Sequence, residues 1–140
     1  MKTISELRVW LEDFNLLHAI TDSDEAIWMM LEARDGEEFE SQYSRAFSQV
    51  EALETSPFTN DEVSDCQAIM RLAFKKSFAL LSASSGEIAA YVADDFDLLA
   101  RAIRVDLKDS WFEQFFSEYK SGRFPHGKLI YSDSGCSVLS

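Results

Sequence analysis

Asp22/Glu25, Thr59/Glu62, Ser84/Glu87 and Ser110/Glu113 are four places in this chain where an Asp, Ser or Thr is followed three residues later by a glutamate. Each pair stands just ahead of apolar residues spaced three and four apart. That is the pattern of a capping box, in which the first side chain accepts from a backbone N–H of the opening turn and the glutamate reaches back to satisfy another. Strands have a period of two and no such signal. A chain that repeats it is committed to helices, and the five Gly and two Pro are too few for the many turns of an all-β domain.

The apolar spacing predicts six helical segments. The first runs from about Ser5 to Ile20, with Ile4, Leu7, Leu11, Phe14 and His18 on one stripe. A second follows Asp22 and turns Ile27, Met30 and Leu31 inward. Gly36 breaks or kinks the chain before a third, "EEFESQYSRAFSQVEAL", whose stripe is Phe39, Tyr43, Ala46, Phe47, Val50 and Leu53. "TSPFTN" is a turn, because Pro57 pushes Ser56 out of the helical region. Thr59 opens a fourth helix, to about Leu81, that is apolar around most of its circumference and is therefore expected at the centre. The fifth runs from Ser84 to about Val105. The sixth begins near Ser110 and carries Trp111, Phe112, Phe115, Phe116 and Tyr119, with Gly122 placed to end it. The expectation is an all-α, single-domain bundle of about six helices: a helical domain over 1–121 and a C-terminal tail, 122–140, packed on it or extending from it. The tail is irregular or forms a short hairpin of "KLIY" and "CSVL" around "SDSG".

At 140 residues and 46% hydrophobic, with eleven Phe, the chain can bury a full core without a disulfide or metal. Its net charge of −12 repels phosphate backbones and anionic lipid, which excludes nucleic acid and membrane surfaces as partners. No run of eighteen apolar residues is present to span a bilayer. Cys66 and Cys136 form no CxxC pair and no secretory leader is visible, so the expected compartment is the cytoplasm with both thiols reduced.

Chemistry is hard to assemble from these residues. "DDFD" at 94–97 misses the DDxxD spacing by one residue, and no phosphate loop, EF-hand or nucleophile elbow occurs. His18 lies on an apolar stripe with Asp22 four residues on, which is weak as a metal pair. His126 lies in a loop, and Cys66 on a helix face where cysteine is an inert small hydrophobe. No enzyme, no metal site and no cofactor is expected.

The three aspartates separate by angle. At about 100° per residue, Asp94 and Asp97 share a polar face with Arg101 and Arg104, and Asp97–Arg101 is a favourable i,i+4 pair. Asp95 falls about 100° away, among Ile88, Tyr91 and Leu99. A carboxylate there must find a partner or a proton. It is either held by a Tyr or Trp donor, an Arg or the exposed N–H groups of another helix, or is a functional carboxylate in a pocket.

The acids are uneven. Thirteen of the 25 lie in the first sixty residues, against four of the thirteen bases. Asp22, Asp24, Glu25, Glu32, Asp35, Glu37, Glu38 and Glu40 crowd into nineteen positions. The helix dipole accounts for some of them. The rest make a rim suited to a basic partner. Within residues 84–127, "DDFDLLARAI" followed by "DSWFEQFFSEYKSGRFPHG" resembles bacterial immunity proteins, in particular the helical ones of contact-dependent growth inhibition systems. The resemblance implies a stoichiometric antitoxin that covers the toxic domain of a cognate effector, a nuclease in many cases. Those eight acids are the expected partner-binding residues, and the protein is expected as a monomer or homodimer. Two alternatives are a helical adaptor with an exposed aromatic groove around Trp111 and Phe112, and a small-ligand or metal protein built on Asp95 and His18.

Overall fold

The computed structural model describes residues 1–20, 23–80 and 85–131. Among them are six helices and no strand: α1 (Ile4–Asp13), α2 (Asp24–Arg34), α3 (Glu37–Leu53), α4 (Asn60–Leu80), α5 (Ser85–Arg104) and α6 (Ser110–Lys120). The fold is the all-α single-domain bundle that the capping and periodicity predict.

The caps explain where the helices begin. Thr59 and Glu62 form the expected reciprocal box, with Thr59 N donating to Glu62 Oε1 at 2.9 Å and Glu62 N to Thr59 Oγ1 at 3.1 Å. Two other boxes are off by one residue. Ser23, not Asp22, caps α2 by accepting from Ala26 N. Asp109, not Ser110, caps α6 by accepting from Phe112 N at 2.8 Å. The cap must hold extended backbone angles while its side chain reaches three residues on, and a string of Ser and Asp offers that choice twice. Asp109 is further fixed by Arg45 of α3, through two contacts of 2.7 and 3.1 Å. Ser84 lies outside the described residues.

The first helix stops seven residues short of its predicted end, at Asp13. Lys76 of α4 is the reason. Its Nζ donates to the carbonyls of Leu11, Glu12 and Phe14 at 2.5–3.0 Å. The ammonium thus satisfies the carbonyls that a continuing helix would have used. The chain then turns through Leu17, at φ 60°, and buries both Leu16 and Leu17. His18 leaves the apolar stripe and is exposed.

The centre is α5, not α4. Ile88, Val92, Phe96, Leu99, Ala102 and Ile103 are all buried on α5, whereas α4 leaves Val63, Phe74 and Phe78 exposed. Helix α4 packs its other side on α5 and α1, α3 touches α2, α5 and α6, and α6 contributes five buried aromatics. Helix α6 ends in a Schellman turn: Arg123 N reaches Glu118 O at 2.9 Å, Gly122 N reaches Tyr119 O at 2.9 Å, and Gly122 takes φ 80°. Residues 121–131 then cross the bundle without regular structure, anchored by buried Phe124 and Leu129. The 128–131 arm of the expected hairpin forms no strand. The other arm, with Cys136, lies outside the described residues.

Arg101 and Arg104 do not belong to a solvated polar face. Arg101 pairs with Glu54 at 2.5 and 3.0 Å and lies over Phe47. Arg104 binds Glu62 and the carbonyls of Ser56 and Pro57, and lies over Phe58. Together they pin the α3–α4 connection to the end of α5, and the expected Asp97–Arg101 bridge gives way to that arrangement. Burial pushes Asp97 above the ordinary carboxylate range.

Candidate functional site

Asp95 is fully buried on α5. Its two carboxylate oxygens accept from Arg34 of α2 and from the Tyr119 hydroxyl of α6. Burial pushes the Asp95 carboxyl up, while the Arg34 guanidinium and the Tyr119 and Tyr43 hydroxyls pull it back. Arg34 is itself buried at 5% exposure. Its Nη1 donates to Pro125 O at 3.3 Å, and its guanidinium carbon lies 4.4 to 5.4 Å from the ring centres of Phe39, Tyr43, Tyr91 and Phe124. Five segments converge on one ion pair: α2, α3, α5, α6 and the tail.

Arg34 stands among the acids of "ARDGEEFE", and helical spacing marks its position. Ile27, Leu31 and Arg34 are spaced four and three, so Arg34 continues the buried stripe of α2. Angular position likewise placed Asp95 on the inner face of α5. Pairing the two required the fold.

Above the pair lies an open cleft of about 270 Å³ between the end of α2, the start of α3 and the middle of α5. Arg34 and Asp95 form its floor, and Phe39, Tyr43 and Tyr91 its walls. Asp35, Glu40 and Asp94 stand at its rim. The Tyr91 hydroxyl donates to Asp35 Oδ1, which pushes that phenol up to about 12, with burial adding to the effect. Floor charges cancel, so the three rim carboxylates set the sign of the field.

The expected rim residues fall as follows. Glu25, Glu32, Asp35, Glu37, Glu38 and Glu40 are exposed, and none forms an ion pair among the described residues. Asp22 and the side chain of Asp24 lie outside the described residues. The cleft brings Asp35 and Glu40 together and adds Asp94, which angle alone places on the polar face of α5. Most of the arginines are engaged elsewhere: Arg8 with Asp65, Arg45 with Asp109, Arg101 with Glu54, Arg104 with Glu62 and Arg123 with Glu118.

The alternatives lose their footing. Trp111 and Phe112 are buried at 2% and 0%, so they cannot line an exposed groove. His18 packs edge-on against Phe14 and beside Gly122, while Asp95 is committed to Arg34 and Tyr119. Among the described residues no group of three His, Cys, Asp or Glu is placed to hold a metal. No described helix is long and apolar enough to cross a membrane.

A family described as Immunity protein PIM1 matches residues 6–126. The chain belongs to the PIM1 immunity protein family. The match takes in most of α1, all of α2 to α6, the Arg34–Asp95 pair and the cleft above it. No curated protein matches the chain. As a bacterial toxin immunity protein, it acts by neutralising a toxin, and its partner is therefore a toxin.

Proposed function

We propose that this immunity protein works as a stoichiometric inhibitor, not an enzyme, and neutralises a cationic toxin domain, a nuclease, by laying the acidic surface of α2 and α3 over its substrate groove. The observation that carries the reading is a set of exposed carboxylates that form no ion pair among the described residues. Asp35, Glu40 and Asp94 rim the cleft, with Glu25, Glu32, Glu37 and Glu38 exposed on the adjoining helices. A nuclease must hold phosphates with Lys and Arg, and its groove is positive by necessity. Carboxylates placed where phosphates would sit compete for those side chains and speed encounter between oppositely charged partners. The resemblance of residues 84–127 to contact-dependent growth inhibition immunity proteins supports a toxin delivered by a neighbouring cell, met in the cytoplasm.

The test replaces Glu37 and Glu38 together by Lys and measures binding of the cognate toxin domain by calorimetry at low and high salt, with growth rescue in cells that express the toxin. Expected are affinity that falls steeply with salt in the wild type, and loss of both affinity and rescue in the variant. Salt-independent binding that survives the charge reversal refutes the proposal.

A further inference from the structure

Helix α2 turns a second feature outward. Trp28 and Met29 are 61% and 60% exposed, far from the usual place of Trp in a folded domain. At about 100° per residue, with Trp28 at 0°, Glu32 falls near 40°, Glu25 near 60° and Met29 near 100°. The arc opposite, from about 240° to 300°, holds Arg34, Ile27 and Leu31, all buried. So the outer face of α2 is two large apolar side chains flanking two carboxylates that form no ion pair among the described residues. Asp35, seven residues beyond Trp28, continues the same ridge and is part of the cleft rim.

We infer that Trp28 and Met29 form the apolar anchor of the toxin interface, seated in an apolar recess of the toxin that is ringed by Arg or Lys facing Glu25 and Glu32. Tryptophan is the side chain most often found to dominate an interface, and charged neighbours around it set orientation while excluding water. Charge decides the occupant. A second copy of this chain would set −12 against −12 and oppose the same carboxylates across the contact, which disfavours self-association. A cationic partner answers Glu25, Glu32 and the rim at Asp35 together. The inference rests on the cationic-toxin reading and adds to it the residues that supply tight binding, as distinct from those that steer.

The experiment uses the full chain and its cognate toxin domain, purified as an inactive variant. Affinity is measured by calorimetry at two salt concentrations for the wild type, Trp28→Ala, the pair Glu25→Lys/Glu32→Lys, and Val9→Ala. Trp28 is exposed and Ala is the better helix former, so Trp28→Ala folds, which circular dichroism checks. Val9 is as exposed, at 60%, on α1, and serves as the control. Expected is a loss of about 30-fold or more for Trp28→Ala at both salt concentrations. The lysine pair should lose affinity most at low salt, and Val9→Ala should lose none. Of the three Trp, Trp111 is buried and Trp10 half-buried between aromatic rings. Acrylamide quenching therefore reports mainly on Trp28, and should fall when the toxin binds. Undiminished affinity in Trp28→Ala, with salt-sensitive binding retained, overturns this inference and leaves the acidic-surface proposal standing. Salt-insensitive binding overturns both. A homodimer in sedimentation that Trp28→Ala dissociates also overturns it, by giving the face to a second copy.

Discussion

Replacing Arg34 by Met should be among the most damaging single changes in this protein. Arg34 and Asp95 are 5% and 0% exposed. Their attraction roughly offsets the cost of taking both charges out of water, but removing one partner leaves the other buried and unpaired, at a cost of about 3–5 kcal/mol. Domains of this size carry about 5–15 kcal/mol in all, so Arg34→Met spends a large share of that margin. With a urea slope of roughly 2 kcal/mol per molar, the midpoint should drop by about 2 M. The double variant Arg34→Met/Asp95→Leu removes both charges. It leaves the Tyr119 and Tyr43 hydroxyls and the Pro125 carbonyl without these partners, at about 1–3 kcal/mol per orphaned group, and should be more stable than the single variant. The pH dependence follows. Burial already raises the folded Asp95 above its unfolded value, so its contribution is complete below the ordinary carboxylate range and declines as pH rises through the folded pKa. Without the guanidinium that pKa climbs further, and Arg34→Met should lose more stability than the wild type between acid and neutral pH. Urea titrations followed at 222 nm, for the wild type, both singles and the double, complete the cycle. A single variant that loses under about 1 kcal/mol, against the 3–5 expected for a broken buried pair, or a double no better than the sum of its singles, refutes the reasoning.

Three further outcomes are expected. Gly122→Ala should cost about 1–2 kcal/mol, since φ 80° is left-handed and an added Cβ would come within 2.5 Å of the His18 ring. Adding His18→Ala should recover only the contact, as thermal unfolding of the three variants would reveal. Glu54 is held below the usual carboxylate range, first by its hydrogen bond from Arg101. Its stabilisation is therefore present above the unfolded pKa and lost as pH falls through the folded one, so amide-exchange protection around 54–62, corrected for the intrinsic rate at each pH, should fall under acid conditions, and Arg101→Gln should abolish that acid response. The Cys66 thiol is buried and pushed up to about 11, chiefly by burial. In a Cys136→Ser background it should resist a thiol reagent at pH 8 until denaturant is added, and fast labelling of the native protein would contradict its placement.

The helices were legible because their signals are local. A cap reaches three residues, a stripe repeats every three or four, and "EEFESQYSRAFSQVEAL" alone delimits α3 to the residue. Asp95 announced itself by angle, and the sign of the surface by count. What the sequence could not deliver lies in contacts between distant segments. Lys76 ends α1 from 62 to 65 residues away, and Arg101 abandons Asp97, four residues off, for Glu54, forty-seven off. The cleft gathers Asp35 from the end of α2, Glu40 from α3 and Asp94 from α5, a grouping no spacing rule encodes. Propensity and periodicity are properties of one helix. Which carboxylates remain without a cation is decided only when every arginine has found its place in the packed chain.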